Sequence, residues 1–505
     1  MPGPVMRLAE GGRIDRARPL EFTFNGRALR GYPGDTLASA LLANGVHLVG
    51  RSFKYHRPRG ILSAGAEEPN ALVQLGTGAA RTDPNQRATQ VELYDGLVAA
   101  SQNAWPSVRT DLSALNDVLS PLMPAGFYYK TFMGPSWAWM QYEKVIRRAA
   151  GLGRSPSEAD PDIYDQRWAH CDVLVIGGGA AGLSAALAAG RTGARVMVVD
   201  EQSELGGGLL TEPATSQIDG KPAADYLAGM LEQLAAMEEV TLLPRTTAFG
   251  YYAQNFVGLL ERVADHVPPG ERSHGLVRER LWKVRAREVV LATGAIERHL
   301  AFPDNDRPGI MLAGSVRSYL NRFAVKAGDR VALFTNNDSA YATAVDLVQA
   351  GVAVPGIVDI RPAGPGATAA AAAAEHGLAV LAGYTIVGTH GRAHVRQARA
   401  MRLGSDARSV QPGMETVLDC DLLAMSGGWN PTVHLFSQAR GKLRFEEQIG
   451  SFVPDLYPPT QAMRCAGACA GRFGLVAVIA DGLDAGAKAA RAVGGDGPDP
   501  VPPAA

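Results

Sequence analysis

The sequence predicts an α/β fold, and three observations carry that prediction. Short runs of Val, Leu and Ile alternate with Ala-rich helical segments from Asp172 to about Arg491. Much of the glycine, 58 residues in 505, falls beside these Val and Ala runs, as expected where strands turn sharply into helices. The run Val173-Leu174-Val175-Ile176 leads straight into Gly177-Gly178-Gly179-Ala180-Ala181-Gly182, a glycine turn set between a strand and a helix.

A chain of 505 residues exceeds what one hydrophobic core organises, so two or three domains are expected. Lys plus Arg (49) nearly balances Asp plus Glu (50), so no global field draws the protein to nucleic acid or anionic lipid. Four cysteines, at 171, 420, 465 and 469, are too few and too unevenly placed for a disulfide framework and suit a reducing cytoplasm. No segment reads as a signal peptide or a bilayer span, so the sequence predicts a soluble, cytoplasmic protein that does not engage a membrane.

Taken in chain order, residues 1–100 are read as a β-grasp domain. Phe22 to Phe24, the Asn25-Gly26 pair and Arg27 to Tyr32 predict a hairpin with a type I′ turn. Pro33-Gly34-Asp35 breaks the strand, Asp35 or Thr36 caps a helix over Leu37–Ala43, and Asn44-Gly45 closes it. Residues 101–168 form an aromatic connector in which Trp105, Phe127, Tyr128, Tyr129, Phe132, Trp137, Trp139 and Tyr142 are expected to bury against neighbouring domains, the alternative being a partner interface. Its last part, 151–165, is polar and Pro-containing and reads as a linker. Residues 169–495 carry the alternating α/β module, with a second strand-helix-strand unit inserted at about 310–400. Residues 496–505 read as a disordered tail.

The glycine turn has the spacing of an adenine-dinucleotide site. Gly177 permits the tight turn, Gly179 lets the backbone approach a diphosphate, and Gly182 lets the helix pack on the strand. The unpaired N–H groups of Ala180, Ala181 and Gly182 bind the anion. The second strand, Arg195 to Val199, ends at Asp200 followed by Glu201, where an acid accepts both ribose hydroxyls and repels the extra phosphate of NADP. Beyond it, Gly207 and Gly208 in Glu204-Leu205-Gly206-Gly207-Gly208, then Thr247 and Ala248, and the Ala292-Thr293-Gly294 turn after Arg287–Leu291 complete the candidate cofactor-binding set. Their order is that of the two-dinucleotide-binding-domain, glutathione-reductase-like flavoprotein fold. A second unit begins at Arg330–Phe334, turns at Thr335–Ser339 and returns on Val352-Ala353-Val354 towards Asp359. It lacks glycines, and Asp338 is expected to repel a phosphate, so this half is read as keeping the fold and losing the ligand.

The stretch GGRIDRARPLEFTFNGRALRGYPGDTLASALLANGVHLVGRSFKYHRPRGILSAGAEEPNALVQLG resembles the alpha subunit of heterotetrameric sarcosine oxidase, as do GFYYKTFM, RTTAFGYY, VVLATGAIER and NDRPGIM. The resemblance runs from about residue 7 to residue 490. It implies an alpha-type chain that holds NAD without turning it over, in a complex with beta, gamma and delta subunits. Sarcosine is oxidised to glycine in the beta subunit with formation of hydrogen peroxide, and FMN sits between alpha and beta. It implies no catalytic residue in this chain, and no metal. Three departures stand out. The β-grasp domain resembles iron–sulfur domains, yet residues 1–170 contain no cysteine, so thiolate ligation of a cluster is impossible there. Ala466-Gly467-Ala468-Cys469 stands where such flavoproteins place Gly-Asp, making FAD less expected than NAD. The folate-binding, aminomethyltransferase-like domain of the full alpha subunit is not in this sequence.

Smaller features have bland readings. Cys465 and Cys469 lie four apart, which on a helix would put them on one face as a redox pair or half a metal site, but they read as small core residues. Arg51, Lys54, His56, Arg57 and Arg59 read as a solvated basic loop, or as a clamp for a flavin phosphate or an acidic partner surface. His434 reads as structural. Two other functions stay open: a stand-alone FAD-dependent NADH oxidoreductase and a non-catalytic assembly scaffold.

Overall fold

Asn25 and Gly26 take φ of 52° and 74° between antiparallel strands Leu20–Phe24 and Arg27–Gly31, the conformation a type I′ hairpin demands. The computed structural model describes residues 4–122, 126, 134–272, 275–413, 415–455, 461–497 and 501–503. The predicted helix spans Leu37–Ala43 and is buried along its whole length. Thr36 is its cap, in a reciprocal exchange with Ser39. Asp35 does something else: buried, it accepts from Arg7, from the Ser39 hydroxyl and from the Tyr32 N–H. The hairpin joins strand Leu97–Ser101 in parallel, followed by Leu72–Leu75 and Asp83–Arg87.

The chain divides into two compact units that interleave in sequence: residues 1–161 with 299–428, and residues 162–298 with 429–505. The β-grasp sheet therefore shares a unit with the second strand-helix-strand half, and one hydrophobic core joins them. Phe22, Leu37, Leu41 and Leu97 belong to the same cluster as Tyr319, Phe323, Leu333 and Tyr341. The Tyr319 hydroxyl also donates to the Ser63 carbonyl across this core. The linear reading of 169–495 as one module missed this, because hydrophobic patterning marks elements and not which core they enter.

In that unit, strands Ile310–Leu312, Leu422–Ser426, Val331–Thr335, Ile357–Asp359 and Val380–Ala382 form a parallel sheet in that order. The return strand is Ile357–Asp359 and not Val352–Val354, of which Ala353 makes only an isolated bridge to Arg330. The connector differs more. Trp105 and Trp137 are 67% and 79% exposed, so within this chain they are not buried as expected. Phe127, Tyr128, Tyr129 and Phe132, with the rest of 127–133, lie outside the described residues. Nor is 151–165 wholly a linker, for Ile163 already begins the long strand that reaches Ile176.

The other unit is built on that strand. In sheet order, Val240–Leu243, Val196–Val199, Ile163–Ile176 and Val277–Leu291 are parallel, Phe256–Arg262 and Thr246–Tyr252 follow antiparallel, and Met463–Cys465 pairs with Val277–Leu291. Helices Ala180–Gly190 and Leu475–Ala492 cross over it at very short range. A Cβ on Gly482 would lie 2.7 Å from the Ala181 Cα, and one on Gly486 2.6 Å from the Ala185 Cα. Only glycine fits at those two positions. Among the described residues, no helix is long and apolar enough to cross a membrane.

Candidate dinucleotide site

The glycine turn is built as its spacing predicts, each glycine for its own reason. Gly177 has φ 106°, and a Cβ there would stand 2.7 Å from the Ala292 carbonyl carbon. A Cβ on Gly182 would stand 2.9 Å from the Gly177 carbonyl carbon, so strand and helix meet through these two residues. Gly179 is different. Its backbone is extended, and the nearest atom to a Cβ at this position would be the Gly207 Cα at 3.8 Å. The protein itself does not require glycine here; a ligand lying against the backbone would.

Helix Ala180–Gly190 begins with Gly179 as a cap that has no side chain, and its first bond runs from the Leu183 N–H to the Gly179 carbonyl at 2.9 Å. The N–H groups of Ala180, Ala181 and Gly182 thus form the first turn and carry the positive end of the helix dipole. Asp200 follows the strand Val196–Val199, its Oδ2 accepting the Gly178 N–H at 2.6 Å and its Oδ1 the Gln202 N–H at 2.8 Å. A carboxylate oxygen accepts more than one hydrogen bond, so sugar hydroxyls can be added to these. The neighbouring Glu201 is held through its carbonyl by the Arg262 guanidinium at 2.6 Å.

The remaining predicted residues gather around this turn. Gly206 bridges to Gly179, and Gly207, at φ 53°, lies so close that a Cβ would stand 2.8 Å from the Gly179 Cα. A Cβ on Gly208 would meet open space. Thr247 and Ala248 follow Thr246, whose N–H donates to the Asp200 carbonyl at 2.7 Å, and the strand bulges just after Ala248. The Thr293 hydroxyl donates to the Thr432 carbonyl at 2.7 Å, while the Thr432 N–H donates to the carbonyl of Gly294, which has φ 72°. Sequence reasoning missed Asp481, which accepts the Gly467 N–H at 2.7 Å and so fixes the segment whose Gly467 Cβ position is 2.7 Å from the Ala181 Cβ. The glycine pair Gly482 and Gly486 on the same helix was the available signal.

The two cysteines are not on one helix. Cys465 ends the strand Met463–Cys465 and Cys469 lies in the 3-10 turn Gly467–Ala470. Side chains of the basic loop are engaged within the chain. Arg51 donates to the carbonyls of Val108 and His56, the buried His56 faces Asp111 at 2.6 Å, Arg57 bonds Asp304 and Asp306 at 2.8 Å, and Arg59 pairs with Asp306. Nor does Asp338 stand as an unopposed negative charge in the second nucleotide-type turn. Arg361 pairs with it at 2.8 Å and also with the fully buried Asp359 at 2.7 Å. At that turn Asn337 donates to the Ser426 hydroxyl at 2.9 Å, and the Tyr341 hydroxyl donates to Asp359 at 2.8 Å. Among the described residues, no group of three or more His, Cys, Asp or Glu is placed to hold a metal ion.

These residues define a two-dinucleotide-type fold, with one intact glycine turn and a second unit whose turn lacks the glycines. The chain is a homologue of sarcosine oxidase alpha subunits. It is 50% identical over 503 residues to that of Rhizobium meliloti (strain 1021), covering 99% of this chain and 48% of the relative. To that of Corynebacterium sp. (strain P-1) it is 40% identical over 487 residues, covering 95% and 44%. The chain thus spans about half the length of the curated relatives it matches. Residues 17–104 match the family of 2Fe-2S iron-sulfur cluster binding domains, and residues 172–259 match that of FAD dependent oxidoreductases. The first match holds no cysteine, so the likeness is in backbone and not in ligands. The crystal structure of L-proline dehydrogenase from P. horikoshii superposes with a TM-score of 0.64 at 19% identity, covering 96% of this chain and 76% of that one, which shows the fold.

Proposed function

We propose that this chain is the nucleotide-holding alpha-type subunit of a sarcosine oxidase-like complex in the cytoplasm, binding NAD at the turn Gly177–Gly182. A partner beta subunit oxidises sarcosine, FMN lies between alpha and beta, and gamma and delta subunits complete the assembly. The observation that carries the reading is Gly179, a glycine that no protein atom demands, lying at the open end of a helix and beside Asp200. The homology to sarcosine oxidase alpha subunits supports the assembly.

The residues fit a dinucleotide. Helix amides 180–182 would hold the diphosphate, and Asp200 would accept both ribose hydroxyls while repelling a 2′-phosphate. Thr247 and Ala248 would border the adenosine, and Gly207, Gly208, Thr293 and Gly294 would line the remainder. Ala468 in the sequence Gly467-Ala468 offers no carboxylate, which favours NAD over FAD. Bound there without turnover, NAD would supply a charged strut between the helix and the strand ends. Electron transfer would belong to the flavins. The second unit lacks the glycines and engages Asn337 and Arg361 in bonds of its own, and we infer that it takes no nucleotide.

Purified chain, denatured and chromatographed, should release about one NAD per polypeptide. Gly179→Val should lower NAD affinity roughly a hundredfold, about 2.7 kcal/mol, while leaving the unfolding midpoint of the nucleotide-free protein unchanged. A chain that released stoichiometric FAD and oxidised NADH by itself would overturn this reading in favour of a stand-alone flavin oxidoreductase. That alternative draws on the FAD dependent oxidoreductase family matched by residues 172–259.

A further inference from the structure

We propose that the sheet face carrying Trp168, Phe249, Tyr252 and Phe256 docks a partner protein whose facing surface sets carboxylates against Lys283 and Arg285. The rings come from three strands of one sheet: Trp168 from Ile163–Ile176, Phe249 and Tyr252 from Thr246–Tyr252, and Phe256 from Phe256–Arg262. Cross-strand pairing of Tyr252 with Phe256, Phe256 with Arg285 and Lys283 with Trp168 puts these side chains on one face. The Phe256 ring centroid lies 6.1 Å from that of Trp168 and 5.9 Å from that of Tyr252. Two glycines make room beneath the other rings. A Cβ on Gly258 would lie 2.6 Å from the Phe249 Cζ, and one on Gly250 2.6 Å from the Tyr252 hydroxyl oxygen. The rings lie down along the sheet, yet Trp168, Phe249 and Tyr252 remain 69%, 52% and 48% exposed. The reverse face is core, holding Tyr251, Val257, Leu259 and Val284. A contiguous aromatic patch left open beside a finished core marks a protein-binding surface.

Charge on this face states what the partner must bring. The Lys283 Nζ stands 5.1 Å from the Trp168 ring centroid and donates to the Gln166 side-chain oxygen at 3.0 Å. The Arg285 guanidinium stands 5.4 Å from the Phe256 centroid and donates to both Gln254 oxygens at 3.2 Å. Among the described residues, neither cation meets a carboxylate at ion-pair distance. On the opposite side of the same strand the cations are compensated: Arg280 pairs with Asp165 and Glu261, and Arg278 with Asp162 and Asp265. Two cations held over rings, with only neutral amides for partners, complement an acidic surface.

The same features disfavour other occupants. A second copy of this chain, meeting the first through a two-fold axis, would set this cationic face against itself. A bilayer takes up side chains that project into it, whereas Phe249 and Tyr252 rest flat on glycines of their own sheet. The partner is therefore a non-identical protein, and its docking rests on the reading of this chain as one subunit of a complex. Glycines beneath the rings and cations above them hold the side chains in place before contact, which lowers the entropy lost on docking.

The test compares the native complex, isolated through an affinity tag on this chain, with the same full-length chain purified alone. Carbodiimide joins an amine directly to a carboxylate, so peptide mass spectrometry of the treated complex should find Lys283 linked to an Asp or Glu of a second polypeptide. Hydroxyl radicals should oxidise Trp168, Phe249 and Tyr252 more slowly in the complex than in the isolated chain. Lys283→Glu combined with Arg285→Glu should lower partner recovery about tenfold, with little change in the unfolding midpoint of the isolated chain. A complex in which the three rings stay as reactive as in the free chain, or which the double variant assembles in full, would overturn the proposal and leave the subunit reading standing. A chain that purifies with no partner would overturn both. Linkage of Lys283 to a second copy of this chain, or binding to phosphatidylcholine–phosphatidylglycerol vesicles that Trp168→Ser abolishes, would give the face to another occupant and equally overturn the proposal.

Discussion

The crossing of helices Ala180–Gly190 and Leu475–Ala492 gives a sharp test, since Gly→Ala in a helix ordinarily helps. Alanine has a propensity advantage of about 0.5–1 kcal/mol. At Gly229, on helix Ala223–Ala235, a Cβ would meet nothing within 4 Å, so Gly229→Ala should deliver that gain. At Gly482 the same Cβ would lie 2.7 Å from the Ala181 Cα and 2.8 Å from its carbonyl carbon, against an ordinary contact of 3.4 Å or more. The obstacle is backbone on the facing helix, which no rotamer change can move. Either the helices separate by more than half an ångström, forfeiting contacts along the crossing, or the strain stays. Overpacking of this kind costs about 1–3 kcal/mol, which more than cancels the propensity gain. Urea unfolding followed by tryptophan fluorescence should therefore place Gly482→Ala roughly 1–3 kcal/mol below Gly229→Ala, the propensity gain being common to both. Because Ala181 is one of the amides facing the proposed ligand, nucleotide affinity should fall along with stability. Equal midpoints for the two variants would refute the claim that glycine sets this crossing.

Two further outcomes are expected in the unit containing residues 1–161. Asp35→Ala leaves the Arg7 guanidinium, only 6% exposed, without its bidentate carboxylate, and should cost about 3–5 kcal/mol in a denaturant titration, with Arg7→Met on the same background recovering part of it. A loss under about 1 kcal/mol would show that water replaces the carboxylate. His47 packs on His394 with ring centroids 4.5 Å apart, and burial followed by the charge of His394 pushes its pKa down to about 3. The unfolded chain takes up a proton near pH 6.5 that the folded imidazole refuses, so stability should be intact above 6.5 and decline as pH falls from there towards 3. His47→Gln should flatten that decline in unfolding midpoints measured across the range, and an unchanged slope would count against it.

How much of this was legible in the sequence depends on the reach of the forces involved. Local rules worked where the cause is local. Asn25-Gly26 dictates its turn by φ preference, and Gly177, Gly179 and Gly182 mark a strand-to-helix turn whose neighbours in sequence are its neighbours in space. The failures share a different cause. That Arg57 and Arg59 are spent on Asp306 and that Arg361 binds Asp338 and Asp359 are properties of which segments a core brings together. A four-residue spacing carries a helical meaning only if the segment is a helix, and Gly467 at φ 69° ends that possibility. The same glycine positions the turn against Ala181, one of the residues proposed to face the dinucleotide. Gly467→Ala, strained at a positive φ and crowding the Ala181 Cβ, should therefore lower two readouts together, the unfolding midpoint and nucleotide retention. If it changed one while sparing the other, the turn would not be the element that links them.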